Sequence, residues 1–320
     1  MTNLSQDLTR GSIRAHLVRM TIPMFLGISS MIVASMMDTV YIGLLGANEL
    51  AAISFTFPLI MALTSVSMGI GNGAASVIAR AQGAGDRERV RRLSTHATLL
   101  TIMLVIVLMI VGLVWQDRLF DLMGAQPGIL PLVVEYMDVW ILGLVFFTLP
   151  MVGSTILRSV GNARLPGYIM TTSSLIQIVL APLLIFGLLG FPELGFVGSA
   201  WAFIICGIWR TVGMLWISIF QERLLLFGSG ALSGMWSSTR TILYIGFPSM
   251  LNAMIGPVSM GTIIWLLAQH GPEVVAGFGI ASRIEMLVMM VLMSLSSSIG
   301  PFVGQNWGAR KFERVYEALR

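Results

Sequence analysis

Asp38 is the residue whose type and setting most invite a chemical reading. It sits about 18 residues into an apolar stretch covering residues 20–45 and is the one charge in it. A carboxyl group at that depth is costly to place, and by default it marks an ion or substrate pathway. A carboxyl that trades a buried setting for a solvated one can take up a proton in one state and release it in another. The alternative is an interfacial acid, hydrated at the mouth of a cavity. Arg283 and Glu285 lie within a later apolar stretch, two residues apart and so on different faces of a helix. They read as structural clamps or as polar contacts lining a cavity. Arg210 comes 15 residues after Gly195, roughly 22 Å along a helix. That reach lets it snorkel to the interface, so it is given no functional role. Pro58, Pro150, Pro182 and Pro257 fall inside apolar runs. Each frees a carbonyl and permits a bend, so each is a candidate hinge, although membrane helices commonly carry proline.

Other chemistries find no footing. There is no H-E-x-x-H helix, no Ser–His pair and no second carboxylate at membrane depth to work with Asp38, so the chain does not read as an enzyme. The single cysteine, Cys206, excludes an internal disulfide framework and a cysteine metal cluster. No cofactor is expected, and no metal beyond a Na⁺ at Asp38. The run from Gly69 to Gly73 is a G-x-x-x-G surface that lets another helix approach closely, not a nucleotide loop.

The elements that must position these residues follow from composition. Of 320 residues, 56% are hydrophobic and 11% charged, with mean hydropathy +0.87. Soluble domains carry about 25% charged residues, so an ordinary soluble enzyme and a nucleic-acid-binding domain are both excluded. A bilayer-spanning helix needs about 20 mostly apolar residues. Eight segments qualify: residues 20–45, 50–79, 93–116, 139–157, 165–192, 195–220, 241–272 and 286–309. Sixteen of the 19 Lys and Arg fall in connections on one side and one on the other, leaving Arg210 inside a span and Arg283 in the first half of the eighth helix, just ahead of its charge-free run. The positive side is cytoplasmic, which puts both termini there. The expected setting is the plasma membrane, the inner membrane of a bacterium. Glu135 and Asp138 read as hydrated acids where the fourth span begins on the outer face.

The chain also repeats itself. An offset of 225 residues places Pro23 on Pro248, Gly46 on Gly271, Gly83-Ala84 on Gly308-Ala309 and Glu88-Arg89-Val90 on Glu313-Arg314-Val315. Six spans separate equivalent points, an even number, so the second repeat enters the membrane in the same direction as the first. Parallel repeats about an axis along the membrane normal follow, with a cavity between them. The expected architecture is an all-α polytopic membrane protein: a six-helix bundle over residues 1–225, then the first two helices of a second parallel six-helix repeat and a basic amphipathic segment over residues 226–320. Four helices of the second repeat are missing, so the chain reads as truncated after the eighth helix.

The residues resemble a known family, the multidrug and toxic compound extrusion (MATE) transporters, and within it the prokaryotic DinF-like branch. The resembling runs are Asp38 to Gly46 (DTVYIGLLG), Ala79 to Arg87 (ARAQGAGDR), Leu157 to Pro166 (LRSVGNARLP), Leu180 to Gly187 (LAPLLIFG), Ala281 to Glu285 (ASRIE) and Val303 to Ala309 (VGQNWGA). The resemblance implies two six-helix bundles around a central cavity, exporting organic, often cationic, compounds against inward Na⁺ or H⁺. It matches Asp38 to the acidic residue of the family's first helix. The family's helix-five Asn and Asp correspond to Gln177 and Ala181, so the second carboxylate is replaced, and Gln177 either supplies a neutral oxygen to the cavity or bonds a neighbouring helix. Phe203 stands where a helix-six threonine is expected, and Gly256 where an alternative helix-seven glutamate is.

The reading that follows is an antiporter of organic, cationic or amphipathic small molecules that works as a monomer in the lipid bilayer, with no nucleic-acid partner. One rival is a flippase for a lipid-linked precursor, which would favour a strongly cationic cavity; Arg283 alone qualifies. Another is a truncated membrane fragment that does not transport.

Overall fold

The computed structural model describes residues 7–122, 128–268 and 272–320; the side chains of some helical positions, Arg283 among them, lie outside the described set. Among the described residues the chain is helical, with no strand. Helix α1 (Ile13–Leu45) starts where the hydroxyl of Ser12 accepts the N–H of Ala15, satisfying one orphan donor of the first turn. It is followed by α2 (Ala47–Gly83) and α3 (Arg87–Leu122), joined by a turn in which Gly85 takes the left-handed φ of +78°. Next come α4 (Leu130–Leu142), α5 (Leu144–Ser159), α6 (Arg164–Phe186) and α7 (Phe196–Trp216), which closes in a π turn over Ile217–Gln221. The remaining helices are α8 (Met235–Ala268), α9 (Pro272–Gly308) and the short α10 (Phe312–Leu319). Among the described residues seven helices are long and apolar enough to cross a membrane, and the α4–α5 pair, bent by 48°, makes an eighth when counted as one broken span. With no water in a bilayer core, only such internally hydrogen-bonded segments can cross it.

The protein is therefore an all-α, multi-pass membrane protein, with a six-helix bundle and two helices of a second repeat. Each expected span is centred on one helix or helix pair, although the 165–192 span outruns α6, which ends at Phe186, and the 241–272 span reaches past Ala268, the end of α8, into residues outside the described set. The fourth differs in detail. It begins at Leu130, nine residues ahead of the apolar run that announced it, and it breaks at Gly143. Asp138, expected at the start of the span, lies within α4 and accepts from the Nε2 of Gln116 on α3, while Tyr136, Met137 and Trp140 around it are buried. The bend sits at Gly143 rather than at Pro150; α2, α5, α6 and α8 run on through Pro58, Pro150, Pro182 and Pro257.

The repeat is visible in the helix boundaries. Both ends of α9 lie 225 residues after the corresponding ends of α2, and α10 begins 225 residues after α3. Contacts repeat as well. A side chain on Gly83 would strike the backbone of Gln305, and one on Gly308 would strike the backbone of Arg80, the residue equivalent to Gln305. The carboxyl ends of α2 and α9 thus cross each other about a pseudo-two-fold axis.

Packing sorts into layers. Near the end that bears both termini, Ile70, Ala74, Ile78, Val90, Leu157, Met214 and Ile242 join α2, α3, α5, α7 and α8. Toward the opposite end, Ile42, Ala52, Val105, Met137, Trp140, Leu144 and Phe196 form a second apolar layer. The α3 side chains Val107, Ile110 and Val114 stay more than half exposed, as an outer helix facing lipid requires. The N-terminal arm is held by α9 and α10. The N–H of Leu8 donates to Gln305 Oε1, Asn306 Nδ2 donates to the Leu8 carbonyl, and Lys311 Nζ donates to the Thr9 carbonyl at 2.7 Å. Within the arm, the hydroxyl and N–H of Thr9 donate to Asp7 Oδ1 at 2.6 and 2.9 Å, which together with nearby Arg10 holds the Asp7 carboxyl below its usual range.

Candidate functional site

Helices α1, α4, α6 and α7 meet in the half of the bundle away from the termini. Asp38 lies seven residues before the end of α1 and Ser199 three residues after the start of the antiparallel α7, and the packing of these helices brings the two side chains together. The Ser199 hydroxyl lies 2.8 Å from each carboxylate oxygen of Asp38, a single donor shared by both. Asp38 is half-buried and Ser199 is buried. From α4, the buried Tyr136 comes close enough to interact with both, and its ring stacks on Phe196 with centroids 4.7 Å apart. The Tyr41 hydroxyl bonds the Ile178 carbonyl at 3.3 Å, tying α1 to α6 beside the site. A carboxylate with one hydroxyl donor and an adjacent phenol, set between membrane helices, is an arrangement that can bind a proton or a hard cation and exchange it.

Gln177 on α6 is half-buried and makes no hydrogen bond to Asp38, and Ala181 is buried. Glu285 is exposed on α9; the Arg283 side chain lies outside the described ones. Two members of the site were not foreseen. The expected partner on α7 was position 203, but the hydroxyl comes from Ser199, one turn earlier on the same face. Counting from the helix ends would not have found Ser199: Asp38 lies seven residues from the end of α1, and the same count into α7 reaches Phe203.

Phe203 instead belongs to an aromatic cluster. Its ring lies 5.9 Å from Trp140 and 5.7 Å from Phe147, with Trp140 and Phe147 themselves 5.9 Å apart. The expectation for Arg210 is also overturned. Side chains on a helix lean toward its amino end, so Arg210 turns back toward mid-membrane, away from the nearer interface. Its Cζ stands 5.3 Å from the centre of the Phe203 ring.

The helices joining the second repeat to the first do so near the terminus-bearing end. Thr21 on α1 donates to Ser298 on α9 at 3.1 Å, Ser29 to the sulfur of Met290 at 2.8 Å, and Asn72 on α2 to Ser249 on α8 at 2.8 Å. Farther from that end, Leu251, Ile255 and Val258 of α8 are exposed.

A multi-pass bundle with parallel repeats and an acid between its helices has the architecture of a membrane transporter. The profile of the MatE family matches residues 23–183 and 248–320, and the chain belongs to that family. This is a family of transporters rather than enzymes. The chain is 35% identical to an FAD transporter of Shewanella oneidensis, over 95% of this chain and 67% of the relative. It is 28% identical to the probable multidrug resistance protein YoeA of Bacillus subtilis, over 86% of this chain and 60% of the relative. It thus spans about 60 to 67% of the length of these relatives. Among solved structures, it is similar to a MOP superfamily transporter from Pyrococcus furiosus, described as having a binding pocket of reverse polarity (TM-score 0.90, 28% identity, 99% of this chain and 70% of the other). An outward-facing multidrug resistance MATE family transporter matches with the same figures, TM-score 0.90 and 28% identity over 99% of this chain and 70% of the other.

Proposed function

We propose that the chain acts in the export of organic solutes by secondary antiport, with inward H⁺ or Na⁺ as the driving ion and Asp38 as the group that carries it. The observation that supports this most directly is the Asp38–Ser199 pair: an acid held by one hydroxyl, between helices, in a chain whose relatives are transporters. Gln177 would add a neutral oxygen when α6 shifts toward Asp38. The positive charge of the connections supports a cytoplasmic setting for the terminus-bearing end, in which case Asp38 would load from the outer side. Multidrug export is the activity named for most of the relatives. The 35% identical relative, named an FAD transporter, adds a flavin nucleotide to the candidate substrates.

The test is dye efflux from cells expressing the chain, alone and joined to the C-terminal third of the Shewanella relative. Ethidium or FAD is expected to leave faster with at least one of the two forms, and Asp38→Asn should abolish that gain while the protein still inserts. Stable insertion of both forms with no export of either compound overturns the reading.

A further inference from the structure

Among the described residues, Arg210 is a buried charged group that the antiport cycle does not use. Its guanidinium is buried, and neither Nε nor Nη2 meets a hydrogen-bond partner among the described residues. A buried guanidinium without an acid is expensive, and removing water from it is tolerated only where something else supplies the negative charge. Among the described residues no carboxylate forms an ion pair with it; the ion pairs there are Asp7–Arg10 and Glu88–Arg92, both at the terminus-bearing end.

Its surroundings say what kind of group would. Ser199, Phe203 and Arg210 follow at i, i+4 and i+11 along one face of α7, so the same stripe carries the Asp38 hydroxyl partner, an aromatic ring and a cation. Phe203 and Phe147 are half-exposed, with Trp140 buried behind them. The Phe203 and Trp140 planes are nearly parallel, at 16°. Aromatic faces of this kind stack flat ring systems. A guanidinium offers forked donors suited to phosphate or carboxylate, and its own Phe203 contact holds it in place.

From this we infer that the site selects an anionic aromatic solute, its ring system stacked at the Phe203–Phe147–Trp140 cluster and its phosphate or carboxylate bound by Arg210. The inference rests on the transport reading above and sharpens it, since the notion of a cationic substrate gives way to an anionic one. Arg210 then sets specificity, and Asp38, on the same face but about 16 Å farther along, is left for the ion.

The experiment uses two ligands with one ring system: riboflavin, which is neutral, and riboflavin 5′-phosphate, which is anionic. Binding of each to the purified chain in zwitterionic lipid nanodiscs is followed by flavin fluorescence, with ethidium as the cationic comparison. The expected result is that the phosphate binds at least about tenfold more tightly than riboflavin, as charge-assisted hydrogen bonds to one guanidinium provide. Arg210→Gln should remove that preference, bringing the two flavins to equal affinity, and Arg210→Lys should retain part of it. Thermal unfolding midpoints report that the variants are folded. Equal binding of the two flavins to the unaltered chain, or a preference that survives Arg210→Gln, overturns the proposal. If ethidium binds and is exported under those outcomes, the transport reading stands without it. If neither flavin nor ethidium binds, both fall.

Discussion

Gly69 of α2 and Gly246 of α8 meet backbone to backbone. A methyl group on Gly69 would lie 2.7 Å from the Gly246 carbonyl oxygen, and one on Gly246 would lie 2.8 Å from that of Gly69. One turn further on, Gly73 is pressed against the Ile242 carbonyl in the same way. This is the G-x-x-x-G surface of the sequence put to use: small residues let two membrane helices close to contact distance.

Alanine at Gly69 or Gly73 should therefore be costly. The obstructing atoms are backbone, which cannot rotate away, and overpacking of this kind costs about 1–3 kcal/mol. Gly43, with nothing within 4 Å of an added methyl, is the control. Gly43→Ala should be neutral or stabilising, since glycine costs up to about 1 kcal/mol in a helix interior. Thermal unfolding of the three variants in detergent checks this, with a lowered midpoint expected for Gly69→Ala and Gly73→Ala alone.

At the acid, Ser199→Ala removes the one hydroxyl that both Asp38 oxygens share. Hydrogen bonds to charged groups contribute about 1.5–3 kcal/mol, so ion-driven export should fall by about tenfold or more. Ser199→Thr, which keeps the hydroxyl, should retain most of it. Because the hydroxyl acts through Asp38, Ser199→Ala should add nothing on an Asp38→Asn background. A double-mutant cycle on thermal unfolding midpoints, which stay measurable on the Asp38→Asn background, checks this coupling, and independent, additive losses would contradict it.

What the sequence made legible here is what depends on periodicity and bulk apolarity. The spans could be counted because lipid requires long uncharged runs, and the repeat could be found because prolines and turn glycines recur at one offset. What escaped is what depends on side-chain direction. Arg210 is equally far from the interface whether it leans out or back, and only the backward lean of Cβ on a helix decides between them. Ser199 was passed over in favour of position 203 because alignment to a pattern is uncertain by a turn, whereas a hydrogen bond is not. The fourth span started early because Glu135 and Asp138 interrupt its apolar run, yet only one helical face needs to be apolar when the other meets Gln116.

The arm makes its own prediction. Gln305 and Asn306 are buried, and Gln305 Nε2 also donates to the Ser159 carbonyl at 2.8 Å, so a single side chain ties the arm, α9 and α5 together. Gln305→Ala would leave the Leu8 N–H and the Ser159 carbonyl without that partner. Each buried orphan costs about 1–3 kcal/mol. The expected outcome is a lower unfolding midpoint together with faster proteolysis at Arg10, and Asn306→Ala should behave alike.

Acid should loosen the same arm. Asp7 titrates below its ordinary value in the folded chain because Thr9 and Arg10 favour its charged form. Its contribution is thus fully present above the unfolded value of about 3.9 and is lost as pH falls through the lower folded value. The side chain is 56% exposed, so the effect is local rather than global. Hydrogen exchange across residues 7–12 should quicken, relative to the intrinsic rate, as pH drops below 4, and Asp7→Asn should show the faster exchange at every pH.

The pseudo-two-fold relation has a last consequence, because its two halves are not filled with the same residues. The α2–α8 crossing is built from Gly73 and Gly246; the equivalent α9–α1 crossing has Ser298 and Thr21, joined by a hydrogen bond. Glycine backbones in contact cannot part without exposing peptide groups that no side chain shields. Two hydroxyls can exchange each other for water at little net expense. The glycine crossing therefore resists parting, while the hydroxyl crossing gives way to water at less cost.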